Sequence, residues 1–197
     1  MSDSDQHLSP QWPDAEGSLW RTLSAREVYR NPWLSVTEYQ VVRPDGSAGI
    51  YGVVDPGDNV TVVALDADAD VWIIEDFIYP IQRRGWFLPT GAIERGEDPL
   101  LAAQRELVEE TGLRAETWDL LGAFYLTPGI ATQRSYLYLA RGLTVGEPQR
   151  EPTEAGMTMR RMPLRAALDA SRRGETPSAV TALGLALAWE VTQSVEA

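Results

Sequence analysis

Glu106, Glu109 and Glu110 stand at positions i, i+3 and i+4 of one another, directly after Arg105. On a helix all three would share one face. Like charges at that spacing destabilise an isolated helix by roughly a few tenths of a kcal/mol per pair. They also fall near the helix C-terminus, where the dipole disfavours negative charge. Such a cluster is tolerated when positive charge sits among the carboxylates. Oxygen ligands without His or Cys suit a hard cation, Mg²⁺ or Mn²⁺. Arg105 and Glu97 offer a supporting pair, a cation that neutralises and orients a neighbouring carboxylate. Gly91 lets the backbone turn tightly, so that the carbonyl of Thr90 can face the metal. Taken alone, an acidic run of this kind reads as a solvated helix face. The wider spacing from Gly91 to Leu113 separates the two readings.

The rest of the composition narrows the chemistry. The chain has 197 residues, no Cys and a single His, His7, in a polar N-terminal stretch. Disulfides, thiolate metal sites, cysteine nucleophiles and His-based triads are thereby excluded. All 17 basic residues are Arg, so phosphate-binding and Schiff-base lysines are absent. The net charge of -12 argues against a basic nucleic-acid groove, and no nucleic-acid partner is expected. An acidic protein that handles phosphates needs a local device such as a bound divalent metal. Reactivity must rest on carboxylates, hydroxyls, Arg and metal.

The elements that position these groups are legible in outline. Residues 1–18 read as a disordered polar tail and 19–197 as one domain. Trp33 to Val42 alternates like a strand, Pro44-Asp45-Gly46 signals a turn, and Ala48 to Val54 completes a hairpin. Asn59 to Leu65 and Val71 to Tyr79 read as two strands joined by the hairpin loop Asp66–Asp70. Asp98-Pro99 opens a helix with a cap and a first-turn proline, Leu100, Ala103, Leu107 and Thr111 line one face, and Gly112 closes it. Strands follow at 118–125 and 134–140. Helices occupy 164–173, stopped by Gly174, and 179–192, capped by Ser178. Strands on both sides of one helix, then terminal helices, indicate a mixed α/β domain.

Gly91, Glu97, Arg105, Glu106, Leu107, Glu109, Glu110, Gly112 and Leu113 match every fixed position of the Nudix box, so this segment resembles the Nudix hydrolases. The resemblance implies an α/β/α sandwich with a mixed sheet, an N-terminal β-hairpin and a C-terminal helix. It implies Mg²⁺- or Mn²⁺-dependent hydrolysis of a nucleoside diphosphate linked to another moiety, with water attacking the pyrophosphate. Carried onto this chain, Glu106 and Glu110 bind metal, Glu109 binds it or assists the water, Arg105 and Glu97 support the geometry, and the Thr90 carbonyl is a further ligand.

Leu88-Pro89-Thr90-Gly91 and the proline of Thr127-Pro128-Gly129 resemble the ADP-ribose pyrophosphatase and nucleotide-sugar branch. That branch has an Arg where this chain reads Asp76-Phe77-Ile78, with Arg83 and Arg84 as substitutes, and often an acidic residue where Gln133 stands. Its late-loop catalytic carboxylate corresponds to Glu151 or Glu154, with Glu154 preferred. Trp33 and Tyr51 are candidates for base stacking, although a core or interface role fits them as well, and Trp86 for lining the pocket or packing. Trp72 reads as core. The resemblance also implies homodimer formation through the N-terminal strands. A non-catalytic nucleotide-binding module is the rival reading, and isopentenyl-diphosphate isomerase chemistry is disfavoured by the absence of Cys. No signal peptide or membrane span is apparent, so a cytoplasmic location is expected.

Overall fold

A computed structural model describes residues 7–8, 17–150 and 156–195 of the chain. The expected tail therefore lies mostly outside the described residues; within it, His7–Leu8 pairs antiparallel with Ala25 and Arg26. Two compact units are formed, Met1–Gly57 with Tyr125–Gln133, and Asp58–Phe124 with Arg134–Ala197.

The first unit is a four-stranded sheet in the order β1 (His7–Leu8), β2 (Arg21–Arg30), β3 (Ser35–Val42), β4 (Ala48–Asp55). β3 alternates as its sequence requires, burying Ser35, Thr37, Tyr39 and Val41. It begins two residues later than Trp33. The Asn31 side-chain oxygen accepts the Trp33 and Leu34 amides at 2.8 Å each, so the ladder starts only at Ser35. Gly46 takes φ 84° in the turn before β4. β2 has no clean sequence signature, because Ala25 is its one fully buried residue and two bulges interrupt its register. The Tyr125–Gln133 segment is tied to β4 by Val54 N–H to the Ile130 carbonyl, 2.8 Å, and by the Tyr51 hydroxyl to the Gly129 carbonyl, 2.7 Å.

The second unit contains β5 (Asn59–Ala64), β6 (Asp70–Ile78), β7 (Arg83–Phe87), β8 (Thr90–Ala92), α1 (Pro99–Thr111), β9 (Leu113–Tyr125), β10 (Arg134–Val145), β11 (Thr158–Pro163), α2 (Leu164–Arg172) and α3 (Ala179–Val195). One sheet runs β8-β5-β10-β9 and another β11-β6-β7. β5 is buried on both faces and parallel to β10, so it reads as a nearly continuous apolar run. Its period of two divides the core. Val60, Val62 and Ala64 join Ala103 and Leu107 of α1, while Val63 joins Leu185 and Ala188 of α3 and Leu164 and Leu168 of α2. Helices thus cover opposite faces of one sheet, which is the α/β/α sandwich.

The expected β5–β6 hairpin is corrected by this arrangement. The Asp66 side chain does organise the turn, accepting the Asp68 and Asp70 amides at 3.0 Å each. Yet the two strands share only the Leu65–Val71 bridge. Both edges of β5 are taken, by β10 and β8, so β6 must find partners in another sheet. No helix among the described residues is long and apolar enough to cross a membrane.

Candidate active site

The acidic segment is set out by α1, and its ends are fixed as the sequence indicates. Asp98 caps the helix by accepting the Leu100 amide at 2.9 Å, and Pro99 needs no donor at the first position. Gly112 takes φ 73° and donates to the Val108 carbonyl at 2.8 Å. A Cβ on Gly112 would also lie 2.4 Å from the Gly146 carbonyl oxygen, so both backbone angle and space demand glycine. Leu107 and Ala103 anchor the inner face, which aims Glu106 and Glu110 towards β8.

Glu110 is only 4% exposed, and its Oε2 accepts the Thr90 amide at 3.0 Å. Glu106 closes on the next residue. A Cβ at Gly91 would lie 1.9 Å from the Glu106 carboxyl carbon. Gly91 is therefore not there to turn the chain: it lies in β8 and is not among the left-handed glycines. Its missing side chain is the room that the Glu106 carboxylate occupies. Two carboxylates from successive turns of α1 thus converge on consecutive residues of one short strand.

Arg105 holds the remaining charge together. Its Nε and Nη2 grip the two oxygens of Glu97 at 3.0 and 2.9 Å, a bidentate pair. Nη1 reaches Glu106 at 2.6 Å and Glu109 at 3.1 Å, and Nη2 also donates to the Ala92 carbonyl at 2.9 Å. The hydrogen bond to Arg105 holds the Glu97 carboxyl below the usual carboxylate range. The same partnership, reinforced by Glu106, raises the guanidinium above its ordinary value. Glu109 is the most exposed of the three helix carboxylates, its side chain 41% accessible against 12% for Glu106.

Thr90 is fixed from behind by a chain of hydroxyls. Its Oγ1 donates to the Val60 carbonyl at 2.7 Å and lies 3.1 Å from Thr61 Oγ1, which in turn lies 3.3 Å from Ser135 Oγ. Among the described residues no three acidic groups form a ready-made metal cage. The donor set nevertheless suits a hard cation: it is all oxygen, and the glycine at position 91 leaves room for the Glu106 carboxylate against β8.

The other candidates separate. Tyr51 and Pro128 come together in a cavity of ≈ 350 Å³ within the first unit. Sequence reading missed two of its walls, Trp20 and Tyr39, because β2 was not recognisable and Tyr39 reads as an ordinary strand residue. Trp20 packs edge-on to Tyr51 with centroids 5.6 Å apart. Burial pushes the Tyr39 phenol above its ordinary value. Thr22, Gly129 and Thr132 also line this cavity. Trp33 is 78% exposed on the first unit. In the second unit, Trp86 is buried in the main core, and its carbonyl accepts from Thr176. Trp72 is half-buried, with the Arg161 guanidinium over its ring. Arg83 is exposed, and Arg84 is engaged by Glu75 and by the Glu75 and Gly156 carbonyls. Glu151 and Glu154 lie outside the described residues.

Known proteins share both parts of this arrangement. Residues 55–181 match the NUDIX domain family model, and residues 20–54 match the nucleoside diphosphate sugar hydrolase N-terminal domain. An ADP-ribose pyrophosphatase of Mycobacterium tuberculosis is 33% identical over 175 residues, 88% of this chain and 84% of that protein. An ADP-ribose pyrophosphatase of Bacillus subtilis is 31% identical over 134 residues, covering 68% and 72%. A CMP-5'-(N-acetyl-N-hydroxy-3-aminopropyl)phosphonate hydrolase of Streptomyces rubellomurinus is 30% identical over 166 residues, covering 84% and 80%. The crystal structure of an ADP compounds hydrolase superposes with a TM-score of 0.79 at 21% identity, covering 89% of this chain and 95% of that one, a likeness of fold. A box intact at every fixed position, on a helix built to present it, accords with a family match over most of the chain: this protein belongs to the Nudix family of hydrolases.

Proposed function

We propose that the chain hydrolyses the diphosphate of a nucleoside diphosphate linked to a second moiety, of the ADP-ribose or nucleotide-sugar type. The observation that carries this is the convergence of Glu106 and Glu110 on Thr90 and Gly91. The names of the Mycobacterium and Bacillus relatives support ADP-ribose, and the Streptomyces relative supports a wider range of nucleotide conjugates. Glu106, Glu110 and the Thr90 carbonyl, with Glu109 beside them, would hold Mg²⁺ or Mn²⁺, which supplies charge neutralisation at the phosphate oxygens and the leaving group.

The chain's own groups do the rest. Arg105 keeps Glu97, Glu106 and Glu109 in fixed positions despite their mutual repulsion. The Thr90 amide aims Glu110. Glu109, the accessible carboxylate, binds the metal or assists the attacking water, with Glu154 the alternative group to take the water's proton. The water oxygen bonds to phosphorus, the anhydride P–O bond breaks, and its electron pair leaves with the second phosphomonoester. We assign the aromatic cavity of the first unit to the base, with the exposed Trp33 as a second stacking candidate. The exposed Leu23, Val28, Tyr29 and Ile50 on the same unit support a homodimer through these strands, which sedimentation would detect.

The test is a panel of ADP-ribose, nucleotide sugars, dinucleotides and nucleoside triphosphates, each with Mg²⁺ and Mn²⁺, resolved by product chromatography. Selective cleavage of one diphosphate class supports the reading. Tight nucleotide binding with no turnover of any compound would instead establish a binding module. Within the panel, Tyr51→Ala should raise KM for the preferred nucleotide about tenfold with kcat within about threefold, since one stacked base is worth about 1–3 kcal/mol. An unchanged KM would remove the base from this cavity.

A further inference from the structure

The C-terminal end of α1 is completed by residues far from it in sequence. The last turn carries no basic residue although it carries Glu109 and Glu110. A helix leaves its final carbonyls without intrahelical donors. Here the segment after β10 supplies them. Gly146 N–H donates to the Gly112 carbonyl at 3.0 Å, and Gln149 N–H to the Glu109 carbonyl at 2.9 Å. The Arg150 Nε then donates to the Glu110 carbonyl at 2.8 Å. Its Nη1 donates to the Met157 carbonyl, also at 2.8 Å. Met157 is 7% exposed and directly precedes β11.

A guanidinium is a rigid planar fork, so these two bonds fix the Glu110 main chain relative to β11. They also bring a full positive charge to the negative end of the helix dipole. A Lys could keep the charge but not the fork. Glu110 is the residue whose side chain meets Thr90, so a shift of its main chain redirects that carboxylate.

We propose that Arg150 is a positioning residue for the reaction at the Nudix box, setting the main chain of Glu110 and thereby the aim of its carboxylate. This rests on the hydrolase reading above, and Arg150 itself touches no reacting atom.

The experiment compares wild type, Arg150→Ala and Arg150→Lys. Mn²⁺ binding without substrate is followed by the electron paramagnetic resonance signal of the unbound ion, alongside steady-state kinetics and thermal melts. In Arg150→Ala, Mn²⁺ affinity and kcat should each fall about tenfold or more, as supporting groups around metal ligands typically require, with KM within about threefold. Arg150→Lys should recover only part of both. A lower melting temperature with unchanged Mn²⁺ affinity and kcat would mark Arg150 as merely structural and overturn the inference. Should Arg150→Ala fail to fold, Arg150→Lys decides by the same two readouts. Wild type that binds Mn²⁺ but hydrolyses nothing would fail the hydrolase reading, while the Mn²⁺ affinities would still decide the positioning role.

Discussion

Glu110→Gln should hydrolyse the preferred nucleotide diphosphate about 10²- to 10³-fold more slowly than wild type, equivalent to about 3–4 kcal/mol of lost transition-state stabilisation. The side chain is almost wholly buried, so its charge is placed where water screens it least. The amide replacement is nearly isosteric, and its carbonyl can still accept the Thr90 amide that Glu110 accepts at 3.0 Å. Fold and melting temperature should therefore survive while the negative charge is lost. Single-turnover kinetics with circular dichroism on the same sample would separate the two effects. Activity within about threefold of wild type would exclude Glu110 from the machinery.

Gly91→Ala should lose activity for a different reason. The new methyl would stand 1.9 Å from the Glu106 carboxyl carbon and 2.1 and 2.2 Å from its oxygens. Glu106 cannot simply yield, because Arg105 holds it at 2.6 Å and its side chain is only 12% accessible. Either the carboxylate leaves its place or β8 moves from β5. Overpacking of this kind costs about 1–3 kcal/mol in stability, and displacement of a carboxylate that is proposed to bind the metal should cost about a hundredfold in kcat. Gly52→Ala is the matched control, since a methyl added there would meet nothing within 4 Å. Urea denaturation and kcat measured on both variants would test this. A fully active, fully stable Gly91→Ala protein would mean that Glu106 does not act from the position described.

The legible parts of this protein are those whose signals are local. Asp98, Pro99 and Gly112 bound α1 to the residue because caps act within one turn. The box could be read because nine fixed positions between Gly91 and Leu113 match the Nudix pattern at its full spacing; the acidic helix face alone would not have distinguished it from solvated surface. β2 escaped notice because it buries little beyond Ala25, and β8 because its three residues are held by a distant strand. The β5–β6 pairing was misread because competition from β10 is not a local property. Gly91 shows the same limit at one atom. Its type was recognisable, but the reason for it is a carboxylate fifteen residues away. Arg150 left no pattern at all, since its partners are main-chain carbonyls that any sequence would present.

Hydrolysis at the Nudix box is best tested by the phosphorus-31 magnetic resonance spectrum of ADP-ribose incubated with the full chain and Mg²⁺. The two diphosphate resonances should disappear while two phosphomonoester resonances, AMP and ribose 5-phosphate, grow equally. A chelator should abolish the change, and Glu110→Gln should slow it about 10²- to 10³-fold. A nucleotide-sugar preference would give the same paired appearance from that substrate instead. An unchanged spectrum for every nucleotide diphosphate, from protein that binds them and Mg²⁺, would contradict the assignment of this site as a hydrolase.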